Sequence, residues 1–299
     1  MIDPVAFEIG PLQLHWYGII IASAVLIGGM LGTRVARWLN EDPDDGWSML
    51  LLVIVLGVIG ARLYHVIHLW GDVYSQDPAL IPQIWNGGLG IPGAVASGAL
   101  GIFLYTRSKG LDAARWMDIF APALLLGQVI GRLGNFVNQE LYGPPTSLCG
   151  TDYPACLPWG IQIDAAHRVP PWDAVTFPVE TTTFVPLFAY EMALNLIGML
   201  LILFVIRRFG PRLFAGDAVL MYIMWYGGVR TLLETYRVNN WTILGVPTAM
   251  WIGMIGVVLA AAWLWYRHRR EWGSPMIRAA EERAPEADAA AAQPEPTAG

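Results

Sequence analysis

Charge is what this chain lacks. Asp, Glu, Lys and Arg together make up 14% of its 299 residues, against about 25% in a soluble globular domain. Lysine is nearly missing, since Lys109 is the only one among 18 cations. With 24 acidic residues against those 18, the net charge of −6 offers no basic surface to a polyanion and excludes a nucleic-acid partner. The same shortage excludes an ordinary cytoplasmic enzyme, and a hydrophobic share of 55% excludes a disordered chain. Only two cysteines occur, Cys149 and Cys156, with no Cys-x-x-Cys redox spacing. No Lys or Arg precedes Arg34, so a cleavable signal peptide is not expected and the first apolar run should stay in the mature protein.

What is present in excess is apolar length and tryptophan. The mean hydropathy is +0.47, and there are 14 Trp. Seven runs are long enough to cross a bilayer core, which needs roughly 20 apolar residues per helix. They lie near 16–36, 48–70, 88–106, 115–134, 184–206, 216–236 and 246–266. Trp16, Trp38, Trp47, Trp70, Trp85, Trp116, Trp241 and Trp265 sit at or near run ends, as an interfacial belt requires. An N-terminus outside puts 13 of the 18 cations in inner loops or on the C-terminal side, which satisfies the positive-inside rule. The expected fold is an all-α polytopic membrane protein with seven transmembrane helices, N-terminus outside and C-terminus inside.

Residues 1–142 are then helices 1–4 with their outer loops, and 184–270 are helices 5–7. Between them, 143–183 is polar, rich in Pro, Thr and Asp, and reads as a small extracytoplasmic head. Its cysteines, with six residues between them, fit either a short disulfide or two free thiols. Residues 271–299 are rich in Ala, Glu and Pro and read as a disordered cytoplasmic tail.

Five cations escape the inner side: Arg62, Arg132, Arg168, Arg230 and Arg237. An arginine within a span costs about 2.5–3.5 kcal/mol on insertion scales. Arg62, Arg132 and Arg230 lie toward the outer ends of spans 2, 4 and 6. One reading is snorkelling, or pairing with Glu140, Glu191 and Glu234; the sharper one is a shared anion-binding cavity. The densest polar cluster is 131–143, with Arg132, Asn135, Asn138, Gln139 and Glu140 among three glycines. If helical, Arg132, Asn135 and Gln139 share a face. In the second cluster Tyr226, Arg230, Glu234 and Arg237 form one helical stripe, where Glu234 can orient Arg230 toward an anion. His15, Trp16 and Tyr17 mark the edge of span 1 and alone read as an aromatic belt. His65 and His68 stand three apart without a third ligand, so no metal is expected.

This pattern resembles the prolipoprotein diacylglyceryl transferases of bacterial inner membranes. Arg132, Asn135 and Glu140 match the critical positions of that family's signature. Tyr226, Arg230, Glu234 and Arg237 match its second stripe. His15 to Tyr17, Arg62 with Tyr64, Asp118, and Tyr190 with Glu191 align as well, and the resemblance runs over about residues 5–270. It implies a cofactor-free, multi-pass enzyme of the inner (plasma) membrane with its active site facing the extracytoplasmic side. The implied reaction moves the diacylglyceryl group of phosphatidylglycerol onto the lipobox cysteine of a prolipoprotein signal peptide. Two departures stand out: Pro92 and Val185 occupy positions where relatives often carry His, so neither histidine can serve as the thiol base here.

The implied chemistry sets two tasks, holding phosphate charge as a carbon–oxygen bond breaks and taking the thiol proton. Arg132 and Arg230 suit the first; Glu140 or Glu234 suits the second, with His15 in reserve. Asn135, Tyr17 and Tyr226 can bond headgroup or phosphate oxygens, and Arg62, Arg237 and Glu191 complete the expected substrate-binding set. Other classes fit less well. A transporter of anionic solutes would show internal repeats, an intramembrane serine protease would show Gly-x-Ser-Gly, and a CDP-alcohol phosphotransferase would cluster Asp within a span. A lipid-binding scaffold is the remaining alternative.

Overall fold

The structure is a computed structural model that describes residues 5–10, 12–157, 159–237 and 240–279. Seven long helices fall on the seven apolar runs: α1 Trp16–Trp38, α2 Pro43–His68, α3 Ile91–Lys109, α4 Ala113–Val137, α5 Leu187–Phe209, α6 Asp217–Glu234 and α7 Thr248–Arg270. Five of them (α1, α2, α4, α5 and α7) are long and apolar enough to cross a membrane. Helix α3 is diluted by glycines and Ser97, and α6 carries Asp217, Arg230 and Glu234 within 18 residues. The chain is thus a mostly helical membrane protein. Two short antiparallel hairpins, unannounced by the apolar pattern, precede α1 and α7: β1 Val5–Ile9 with β2 Leu12–His15, and β3 Thr242–Ile243 with β4 Val246–Pro247.

The described residues form two compact units. One holds the chain up to Leu31, Phe120–Arg208 and Asp217–Trp272; the other holds Gly32–Ile119, Phe209–Gly216 and the residues from 273 on.

In the second unit α2 starts as its sequence directs. The Asp42 carboxylate accepts from the Asp44 amide at 2.9 Å, Pro43 takes the first turn, and Asp44 and Asp45 face the helix N-terminus. Helix α3 ends on Gly110 in the left-handed region (φ 69°). The two helices meet through small residues: a Cβ on Gly93 would stand 2.1 Å from the Gly60 carbonyl oxygen, and one on Gly60 would stand 1.9 Å from Ser97 Oγ. Lipid offers no hydrophobic drive for helix association, so close backbone approach supplies the contact. Buried Glu41 pairs with Arg115 at 2.7 Å and with Arg278 at 3.7 Å. Met276 is fully buried, and its amide donates to the Leu213 carbonyl. The chain is therefore ordered beyond 271, where the sequence puts the start of a tail, because Met276 and Arg278 give that stretch an apolar anchor and an ion pair. Residues 280–299 lie outside the described residues.

In the first unit α6 and α7 cross in the same small-residue manner, with a Gly227 Cβ falling 2.9 Å from the Gly253 carbonyl oxygen. The polar segment after α4 folds around its own core of Tyr142, Ile163, Trp172 and Phe184. Cys149 and Cys156 are disulfide-bonded there, with Cα atoms 5.7 Å apart. The Arg168 guanidinium lies over the Phe184 ring at 5.0 Å. Burial pushes the Tyr142 hydroxyl above the usual tyrosine value. It accepts from the Val169 amide at 2.8 Å and donates to the His167 carbonyl at 3.2 Å.

Candidate functional site

The site is built on α4, α5 and α6 and on the turns that follow α4 and α6. Glu191 on α5 is 3% exposed and holds two cations. Arg132 on α4 donates to its Oε1, and Arg237 approaches its Oε2 at 3.9 Å. Glu234, also 3% exposed, pairs through Oε2 with Arg230 at 3.0 Å and with Arg237 at 3.8 Å. The result is one chain of alternating charge running Arg132, Glu191, Arg237, Glu234, Arg230. Three guanidiniums against two carboxylates leave one positive charge in a poorly solvated place, where it acts strongly on a nearby anion. The two expected clusters, far apart in sequence, are therefore one constellation.

The first cluster departs from the expected helical face. Helix α4 ends at Val137, and Gln139 and Leu141 take positive φ (49° and 56°). Gln139 thereby leaves the face of Arg132 and bonds Asp164, donating to Oδ2 at 2.6 Å and accepting from its amide at 2.8 Å. Asn135 accepts from Arg132 at 2.8 Å and donates to Glu140 Oε1 at 2.8 Å. Its amide is a bridge between cation and carboxylate. Glu140 is exposed and also receives Asn138 at 3.4 Å. The Tyr17 ring from α1 lies against Gly134, where a Cβ would come within 2.6 Å of it. Gly134 thus admits the ring to this face of α4. Tyr226 stacks on Tyr222, ring centroids 5.9 Å apart. His15 is exposed at the end of β2.

Arg62 requires a correction. Its Nε donates to the carbonyl of Ile81 at 2.8 Å, one terminal nitrogen to Gly87 and Gly88, and the other to Leu80 and Gln83. A guanidinium has five N–H donors, and backbone carbonyls take all five. None is left for an anion, so Arg62 organises the 80–88 segment and is not a substrate ligand. Among the described residues no three His, Cys, Asp or Glu side chains are grouped to hold a metal ion.

A second tier was missed by the sequence reading. Gln128 and Asn195 lie one turn from Arg132 and Glu191, and Tyr222 one turn from Tyr226. Asn195 Nδ2 donates to Gln128 Oε1 at 3.2 Å, and Gln128 Nε2 donates to the Tyr222 hydroxyl at 3.0 Å. Polar residues recurring at i±4 inside three apolar runs were the available signal.

Comparison with known proteins decides between the remaining classes. Residues 4–266 match the family model for prolipoprotein diacylglyceryl transferase. The chain belongs to this family. Among curated members, the phosphatidylglycerol–prolipoprotein diacylglyceryl transferase of Chloroflexus aggregans is 36% identical, the match covering 93% of each chain. The one from Streptococcus equi subsp. zooepidemicus is 35% identical over 91% of this chain and 97% of its own. That of Leifsonia xyli subsp. xyli is 36% identical over 96% of this chain and 85% of its own. Membership in the transferase family makes the charged constellation on α4 to α6 the candidate active site.

Proposed function

We infer that the protein transfers the diacylglyceryl group of phosphatidylglycerol to the lipobox cysteine thiol of a prolipoprotein, the first step of bacterial lipoprotein maturation. The observation that carries this reading is the Arg132–Glu191–Arg237–Glu234–Arg230 chain with its uncompensated positive charge, found in a chain matched to the family almost end to end. A phosphodiester brings one negative charge to this directly paired set, the exposed Glu140 carboxylate standing outside it behind Asn135.

In the reaction the cysteine sulfur attacks the glyceryl carbon next to the phosphate. A carbon–sulfur bond forms, the carbon–oxygen bond breaks, and glycerol phosphate leaves with the bonding electrons. Arg132 gives one terminal nitrogen to Glu191 and the other to Asn135, and Arg230 gives one to Glu234; of five N–H groups each guanidinium keeps several for the leaving phosphate. Preorganised donors of this kind act where charge grows on the leaving oxygen. A free thiol has a pKa of about 8.5 and must lose its proton to react. Glu234 Oε2 is already engaged by two guanidiniums, whereas Glu140 is exposed and held by neutral amides. Glu140 is the better placed of the two to receive the proton. Tyr17 and Tyr226 border the same place and suit the headgroup hydroxyls.

The accompanying topology is seven spans, N-terminus outside and C-terminus inside, in the bacterial inner (plasma) membrane. Segment 143–183 is then an extracytoplasmic head beside the site, and the domain limits remain 1–142, 143–183 and 184–270, with residues 271–299 on the cytoplasmic side. Incubating purified protein with phosphatidylglycerol and a lipobox peptide should add the mass of a diacylglyceryl group to the cysteine. Arg132→Ala and Arg230→Ala should each lower that rate by about 100-fold or more, the scale of losing an oxyanion donor. Normal turnover in both variants would overturn the anion clamp.

A further inference from the structure

The Asn195–Gln128–Tyr222 chain points inward from the charged constellation and is used by none of the steps above. Its donors run one way, from Asn195 through Gln128 to Tyr222. The phenolic hydrogen of Tyr222 is therefore left to donate onward, because its oxygen already accepts. At the other end Asn195 is 0% exposed, and its Oδ1 is a buried acceptor with no hydrogen-bond partner. Gln128 and Tyr222 are only half-buried, so the Gln128–Tyr222 end of the chain is not sealed in the helix packing. Within apolar spans, polar groups that face a cleft without full partners mark a place where a polar ligand atom sits.

We propose that Gln128, Asn195 and Tyr222 form the floor of the lipid site, with the Tyr222 hydroxyl donating to an ester carbonyl of the bound diacylglyceryl group. The proposal rests on the lipid-transfer reading above and adds a second polar subsite to it. Its spacing fits the molecule. Gln128 and Asn195 stand one helical turn, about 5.4 Å, from Arg132 and Glu191. In a glycerolipid the ester groups begin two carbons from the phosphate oxygen, a separation of that order. A phosphate among the arginines would therefore bring an ester carbonyl to the tier below. Ester carbonyls are also the strong acceptors that a phospholipid carries at this depth, and an unanswered hydroxyl donor there is costly. Within this floor Tyr222 touches the substrate, while Gln128 and Asn195 are positioning residues that orient the phenol.

The test compares phosphatidylglycerol carrying two ester-linked chains with the same headgroup and chains on ether linkages, using purified full-length protein, mixed micelles and a lipobox peptide. The wild-type enzyme should favour the diester lipid in kcat/KM by about tenfold, the factor of one neutral hydrogen bond. Tyr222→Phe keeps the ring and should lose about tenfold on the diester lipid alone, so the preference falls toward unity. Gln128→Leu should narrow the preference in the same direction. A purely structural role would lower both lipids equally, and that result, or a Tyr222→Phe enzyme that keeps the wild-type preference, would overturn the proposal. A wild-type enzyme that transfers from both lipids at the same rate would also overturn it while leaving the transferase reading intact. No transfer from either lipid would overturn both.

Discussion

Glu191 shows how much a single buried carboxylate organises. It is the group through which Arg132 on α4 and Arg237 after α6 are joined. Replacing it with Ala leaves both guanidiniums without their shared counter-charge, and removal of one partner from a buried pair costs about 3–5 kcal/mol. The unfolding midpoint of Glu191→Ala in detergent should fall accordingly. The Glu191→Ala/Arg132→Ala double variant should cost less than the sum of the two singles, because the stranded cation is gone. Equal, additive losses would show that the pair does not couple. At this scale the sequence revealed which residue types were out of place in apolar runs, and Glu191 and Glu234 were legible as arginine partners. It did not reveal Asn195 or Gln128, because a lone amide in a span looks tolerable until its neighbour on another helix is known.

Helix contacts follow a rule that composition hides. Helices α2 and α3 touch through Gly60, Gly93 and Ser97, and α6 and α7 through Gly227 and Gly253. A Cβ on Gly93 or Gly227 would meet first a backbone carbonyl oxygen, of Gly60 or Gly253, which cannot rotate away from an added methyl. Gly93→Ala should therefore force the two helices apart and cost about 1–3 kcal/mol, the usual scale of overpacking, read as a lower unfolding midpoint. A midpoint equal to wild type would mean that the helices are not held this closely. The helices themselves were legible because seven long apolar runs admit few other structures in lipid. Their ends were less so. The stripe from Tyr226 to Arg237 was read as one helix, yet α6 stops at Glu234 and Arg237 reaches both carboxylates from the following turn. The β1–β2 hairpin was overlooked although Phe7-Glu8-Ile9 and Leu12-Gln13-Leu14-His15 alternate on either side of Gly10-Pro11, because the stretch is short beside the apolar run that follows it.

For the whole molecule, the proposed orientation makes a direct prediction. After mild reduction, Cys149 and Cys156 should react with a membrane-impermeant maleimide added outside right-side-out vesicles, while a C-terminal tag stays protected from external protease. The opposite pattern would reverse the topology. Hydropathy and arginine placement carried this global layout in the sequence, since both are summed over many residues and tolerate local error. Arg62 shows where such sums fail, because its partners are carbonyls of residues 80–88, 18 to 26 positions downstream. Every amino acid supplies the same carbonyl, so no side chain in that loop announces the contact in the sequence. Lysine, with three donors in place of five, would leave at least two of those oxygens bare. A substitution that keeps the charge would still undo the loop.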